Sequence, residues 1–491
     1  LSATSATREK TFLGHPRGLS TLFFTEMWER LSYYGMKAVL FLYMSREIVA
    51  GGLAIEPGLA KALVAVYGAA IYMSGIAGGW VADRVLGTRR AVLWGGVLIV
   101  FGHLALALPF GETALYTSMA LLVMGTGLLK PNVSTMVGGL YADDDRRRDA
   151  GFSIFYTGIN LGAVIGIYGV GAVGEKVDFH AGFSIAAAGM AIGLVQYAVG
   201  RRHLPPSGDV PANPVTLAER SRLMIRLGAG LVVFAALVAV LAATGTLSVQ
   251  LVVDAISVLS VVLPVVYFVW MYRSGRTTGV ERSRLLAYVP LFLAAMFFWF
   301  VQEQGASTLV QYTDERVRAM SVAGWTVPIS WFQSINSVVV VVGAPLFAVL
   351  WTKLGTRQPT TPRKFAIGLL FAGASFVAVA VPHALSPSDV RVGATWLAVS
   401  YVLVTVGELF LSPVGLSATT KLAPKAFAAQ TMGLWFMSNA AAQGVTAQVV
   451  TLYTPGTEIA YFGLAGVVVA LVGVVVWTLA PAIHRRMAGV D

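Results

Sequence analysis

Fourteen stretches of this chain run apolar for about 18 residues or more, close to what a helix needs to cross a lipid bilayer. They lie at residues 19–49, 59–83, 90–109, 114–140, 151–174, 181–200, 223–245, 248–272, 285–313, 327–352, 365–382, 394–420, 426–453 and 458–483. Turn chemistry such as Pro109-Phe110-Gly111, Pro205-Pro206-Ser207-Gly208 and Pro455-Gly456 separates them. Fourteen spans with their connectors use up nearly all 491 residues, which are 56% hydrophobic and 12% charged. No sizeable water-soluble domain fits, so the expected fold class is an all-α integral membrane protein. The first stretch is too long and too charged for a cleaved signal peptide. With no cysteine in the sequence, disulfides, thiolate metal sites and cysteine nucleophiles are excluded.

A net charge of +11 would suggest a nucleic-acid partner in a soluble protein. If the N-terminus is cytoplasmic, however, 26 of the 35 Lys and Arg fall in inside segments, including Arg146 to Arg148 and Arg201 to Arg226. Only six (Arg46, Lys61, Lys176, Arg316, Arg318 and Arg391) fall in outside loops, and three lie within spans. This bias predicts both termini in the cytoplasm by the positive-inside rule. The basic excess is thus a topology signal, and no nucleic-acid partner is expected.

The chain also reads as duplicated. Leu86-Gly87-Thr88-Arg89 after the second stretch returns as Leu354-Gly355-Thr356-Arg357 after the tenth, 268 residues later. Lys130-Pro131 and Ser412-Pro413, each in a Gly-bearing helix, are 282 residues apart. Removing about 80 residues for stretches seven and eight leaves a period near 200, as in transporters built from parallel repeats. The expected organisation is a tail at 1–18, a six-helix bundle at 19–200, a linker with two inserted helices at 201–284, a second six-helix bundle at 285–484, and a tail at 485–491. Gly75, Gly78 and Gly79 read as a close helix contact, and Pro131 and Pro413 as kinks.

Eight ionisable residues fall inside the spans: Glu26, Glu29, Arg30, Lys37, Lys130, Asp254, Glu303 and Glu408. Each would cost at least about 2.5 to 3.5 kcal/mol unpaired in the bilayer interior. On the first helix Glu26, Arg30, Tyr33 and Lys37 share one face, flanked by Glu29 and Tyr34. Lys37 lies 20 residues past Arg17 and Glu303 lies 19 past Arg284, both roughly 30 Å in at 1.5 Å per residue. Arg30, Lys130 and Glu408 share a level nearer the middle. Lys37 with Glu303 and Lys130 with Glu408 are therefore expected as outer and inner salt-bridge latches between the halves. Apart from Asp254, read as structural, these sites carry four carboxylates and three cations. One carboxylate lacks a full cation, which points to proton coupling.

The residues also resemble a known family. Glu26-Met27-Trp28-Glu29-Arg30-Leu31-Ser32-Tyr33-Tyr34-Gly35 is similar to the ExxER-F-x-YYG signature of the proton-dependent oligopeptide transporters, a branch of the major facilitator superfamily, with Leu31 replacing an aromatic. Gly78-Gly79-Trp80-Val81-Ala82-Asp83-Arg84, Lys130-Pro131-Asn132-Val133-Ser134, Phe152 to Gly162 and Gly407 to Ser417 extend the resemblance over essentially the whole chain. It implies a bacterial member with the major facilitator fold, two six-helix bundles plus two inserted helices, multi-pass in the inner membrane. It further implies proton-driven import of di- and tripeptides by alternating access, no cofactor beyond the co-transported proton, and a monomer in the lipid bilayer. Residue by residue, Arg30 and Lys130 would engage the peptide carboxylate and Glu408 the amine. Asn160 and Asn336 would hydrogen-bond the termini or backbone. Tyr33, Tyr34, Tyr67, Trp299 and Trp435 would line side-chain pockets, and Glu26, Glu29 and Glu303 would couple protons. Gln302 stands where some relatives have a second acid.

Transport of another small anion such as nitrate is the alternative. An intramembrane enzyme is not expected, because His15, His103, His180, His203, His383 and His484 show no metal-ligand spacing. A pore is disfavoured by paired charges, which suit occlusion better than continuous flow.

Overall fold

The computed structural model describes residues 11–142, 145, 147–385 and 390–489. Most of the expected N-terminal tail, Arg146 and the last two residues lie outside them. Fifteen α-helices follow in order: α1 Gly18–Ser45, α2 Pro57–Val81, α3 Thr88–Ala107, α4 Gly111–Gly138, α5 Arg148–Lys176, α6 Phe179–Gly200, α7 Leu217–Ala243, α8 Val249–Arg273, α9 Gly279–Gln302, α10 Thr308–Arg316, α11 Ser334–Leu354, α12 Thr361–Leu385, α13 Ala394–Leu422, α14 Ala428–Val449 and α15 Leu464–Arg486.

Among the described residues, twelve helical segments are long and apolar enough to cross a membrane by length and composition alone. The two long helices outside that set are α1, with four charged residues, and α14, with Gln430, Asn439, Gln443 and Gln448. Much of this polarity is buried: Glu26, Glu29, Arg30, Lys37, Asn439 and Gln443 are each under a tenth exposed, whereas Gln448 is exposed. These two carry more polar residues than the other spans because a face turned to protein need not be oily. With them the spans number fourteen, the count the apolar stretches give.

The ninth stretch differs from the single helix expected over 285–313. It breaks after Gln302: a 3-10 turn covers Glu303–Ala306, and Ser307 leaves the helical region with φ −137° and ψ −81° before α10 begins. Gly305, packed under the Tyr401 ring, and the Tyr401 hydroxyl, which donates to the Gly305 carbonyl at 2.9 Å, hold this break. A short hairpin that the apolar pattern does not reveal pairs Ser321–Val322 with Trp325–Thr326, turned by Ala323 (φ 50°) and Gly324 (φ 82°). Two left-handed residues suit the strand twist, but only one of them is glycine, which weakens the signal.

The Cα framework divides into two compact units. Unit 1 holds residues up to Met36, Ser74–Val170 and His180–Ala235. In it α5 presents Gly158, Gly162 and Gly166, one helical turn apart, to α1. A Cβ on Gly162 or Gly166 would lie 2.1 Å from the Met27 carbonyl or 2.2 Å from the Leu31 carbonyl. This small-residue contact fixes the rotation of α1 and so the direction of its charged face. Of the three glycines read as a packing patch, only Gly78 is one: its Cβ would meet the Gly127 carbonyl at 1.9 Å, whereas Gly75 and Gly79 face open space. Three glycines in five residues cannot all face one neighbour on a helix.

Unit 2 joins the second half of the chain to Lys37–Met73 and Gly171–Phe179, which hold the C-terminal end of α1, the N-terminal part of α2 and the C-terminal end of α5. Glu175 of α5 accepts from the backbone N–H groups of Ile329 and Ser330, both at 2.8 Å. Gln333 donates to the Ala38 carbonyl, and Arg46 pairs with Asp314 at 3.5 Å. Lys61, read as an outside-loop residue, sits instead in the second turn of α2, 1% exposed, donating to the Tyr453 carbonyl at 2.8 Å. A buried acceptor at a helix end holds a lysine that composition assigns to a loop.

The inserted pair is lopsided. No described side chain of α7 from Glu219 to Ala243 is buried, whereas α8 buries Val253, Ser257, Ser260, Pro264 and Met271. That face lies on α14, where a Cβ on Gly444 would be 1.9 Å from Ser260 Oγ. Asp254 accepts from Gln250 and from Gln448 of α14 at 3.0 Å, which is a structural tie.

Candidate substrate and coupling site

In unit 1 the site is built on α1. Arg30 Nε lies 3.1 Å from Glu26 Oε1 and 2.5 Å from Glu29 Oε2, and the Arg30 side chain is only 4% exposed. The i,i+4 spacing places Glu26 one turn from Arg30, so this triad is assembled by one helix. The guanidinium also faces Tyr33 and Tyr34, at 5.4 and 5.9 Å from their ring centroids, and the two rings meet edge to face at 5.1 Å. Arg30 Nη2 and Glu26 Oε2 are buried without a protein hydrogen bond. A buried guanidinium nitrogen of this kind is a ready donor for a carboxylate.

Lys130 of α4, in the turn before Pro131, acts electrostatically on Glu26. Asn160 of α5 is 7% exposed and gives its amide N–H to the Tyr156 carbonyl at 3.0 Å. That bond is intrahelical and uses one of the two N–H groups of the amide.

In unit 2 the anions are held by groups from several helices. Glu303, at the C-terminal cap of α9, accepts from Lys37 Nζ on Oε2 at 2.8 Å and from Asn439 Nδ2 on Oε1 at 2.9 Å. Glu408 of α13 accepts on Oε2 from Asn336 Nδ2 of α11 at 2.8 Å and from Gln302 Nε2 of α9 at 3.0 Å. Asn336 also donates to Thr405 Oγ1 at 3.1 Å. Within this unit, then, the hydrogen bonds to Glu408 come from amides. Amide dipoles orient a carboxylate without cancelling its charge, so it retains its attraction for a cationic amine.

The aromatic residues differ in accessibility. Trp299 is partly exposed beside Phe298, with ring centroids 5.3 Å apart. Tyr67 is buried at 3% exposure. Trp435, at 4%, is packed on Gly415 of α13, whose Cβ would come within 2.0 Å of the indole. In this conformation Trp435 therefore fills a helix contact.

Sequence reasoning missed Gln302 as a ligand of Glu408, Thr405, and the pair Asn439 and Gln443. The last two carried a readable signal: with Thr446 they recur at i, i+4 and i+7 on one face of α14.

The POT family profile matches residues 89–468. The chain belongs to the POT family. It is 50% identical, over 98% of its length and 97% of the relative's, to the uncharacterized transporter YclF of Bacillus subtilis. It is 42% identical to the di-/tripeptide transporter of Lactococcus lactis subsp. cremoris, with 98% of each chain covered. A crystal structure of the peptide transporter POT in complex with sulfate superposes with a TM-score of 0.95 at 53% identity, covering 98% of each chain. This POT chain has the fold of its relatives, that of the major facilitator superfamily with two inserted helices. It is a multi-pass membrane transporter of a family that is not enzymatic.

Proposed function

We propose that this POT chain imports di- and tripeptides together with protons by alternating access. The observation that carries the proposal is the unequal treatment of opposite charges. Arg30 keeps a buried nitrogen unused by protein, and Glu408 is oriented by amides in its own unit. A zwitterionic peptide brings a carboxylate for the first and an ammonium for the second, at a separation fixed by its backbone.

In this reading Arg30 and Lys130 take the carboxylate, Glu408 the amine, and Asn160 and Asn336 the termini or backbone. Tyr33, Tyr34, Tyr67, Trp299 and Trp435 meet the side chains. Trp435 must first leave Gly415 to do so. Glu26, Glu29 and Glu303 exchange protons, and Lys37 with Glu303 and Lys130 with Glu408 act as gates. The bundles are those at residues 19–200 and 285–484, with the inserted pair in the linker at 201–284. The protein works as a monomer in a bacterial inner membrane with both termini cytoplasmic, as the basic-residue bias supports. The end bearing Glu175 and Arg46 then faces outward, and releasing its contacts opens the site to the periplasmic side. The relatives' names give no support to nitrate.

The test is uptake of dialanine into proteoliposomes under an inward proton gradient. Accumulation above that of protein-free vesicles, abolished by a protonophore, is expected. Uptake equal to that of empty vesicles, with verified folded protein, overturns the proposal.

A further inference from the structure

Glu303 has two oxygens and they are held differently. Oε2 takes the ammonium of Lys37, while Oε1 takes the amide of Asn439 at 2.9 Å. An asparagine could present either its NH2 or its oxygen to a neighbour. Here Gln443 Nε2 donates to Asn439 Oδ1 at 2.7 Å, which occupies the oxygen and turns the NH2 toward Glu303. Both amides are almost fully buried, at 3% and 1% exposure. Gln443 is in turn seated over α2: a Cβ on Gly68 would stand 1.9 Å from its Oε1. Gly68, Gln443, Asn439 and Glu303 thus form a continuous line from α2 through α14 to the break in α9. Lys37 of α1 and Glu408 of α13 also act on Glu303, and the group that α14 donates to it through Asn439 is a neutral amide.

We propose that Asn439 is a positioning residue for the proton step: locked as a donor by Gln443, it sets the pH at which Glu303 releases its proton, and Gly68 sets the seat of that lock. This rests on the reading of Glu303 as a coupling carboxylate. An N–H donor favours the ionised carboxylate, so losing it leaves Glu303 protonated to higher pH. When α2 moves away from Gln443 in the transport cycle, the lock loosens and the proton is held. When α2 returns, the proton is released.

The test measures dipeptide uptake in proteoliposomes against external pH at constant gradient, beside gradient-free exchange. Asn439→Leu is expected to move the alkaline limb of the uptake profile up by about one pH unit, the scale of one hydrogen bond to a charged group, with the KM for exchange unchanged. Gln443→Leu and Gly68→Ala are expected to move the limb the same way by less, because each acts through the orientation of Asn439. Wild-type pH profiles in folded Asn439→Leu and Gln443→Leu overturn the inference. Should Asn439→Leu not fold, Gln443→Leu and Gly68→Ala decide by the same criterion. Glu303→Gln, run in parallel, separates the two claims: gradient-driven uptake surviving in it removes the coupling role of Glu303 itself.

Discussion

The charged groups of α1 and those around Glu303 and Glu408 solve the same problem in opposite ways. Arg30 finds both its carboxylates on its own helix. Glu303 depends on α1 and α14, and Glu408 on α9 and α11. A triad within one helix travels with that helix and survives any rigid-body movement. A carboxylate held by separate helices senses each time one of them moves. The first arrangement suits a fixed recognition element and the second a sensor of conformation.

The largest effect that would break this contrast is at Glu303. Glu303→Gln should abolish gradient-driven uptake while sparing some exchange; unchanged acidification-driven uptake would assign the sensing elsewhere. Next comes Lys130→Ala, expected to lose transport of peptides with a free C-terminus, measured against C-terminally amidated analogues; wild-type rates would refute its carboxylate role. Arg30→Lys sharpens the comparison, because lysine keeps the charge but not the planar fork. A roughly hundredfold drop in uptake is expected, about 2.7 kcal/mol, with the thermal unfolding midpoint little changed. Smallest is Asn336→Leu, which removes one orienting amide from Glu408. The KM for dipeptides should rise about tenfold, the scale of a hydrogen bond to a charged group, while uptake of substrates lacking the amine changes less.

The same contrast explains what the sequence disclosed. Spans, their number and the Arg30 triad depend on residues near in sequence, so hydropathy and helical periodicity expose them. The spacing of Lys37 and Glu303 from the flanking basic residues suffices to place them at one depth, and they meet at 2.8 Å. Gln302 reads as a lost acid until α13 brings Glu408 beside it. That Gly415 lies beneath the Trp435 ring, so that the indole must move to meet a substrate, has no trace in the local sequence. The break in α9 is hidden because Gln302 to Thr308 contains no proline, and the Tyr401 bond that holds it comes from 96 positions away.

The burial of polar faces on α1 and α14 also bears on how the chain enters the membrane. Neither helix is greasy enough to partition into lipid readily alone. The helices that α14 packs on, α8, α9 and α13, are all synthesised before it, so it emerges to a waiting cradle. The glycines that receive α1 belong to α5 and α6, at Gly158, Gly162, Gly166, Gly189 and Gly193, and these are synthesised more than a hundred residues later. During biogenesis the charged face of α1 must therefore be sheltered by the insertion machinery or by its nearest neighbours until α5 and α6 arrive.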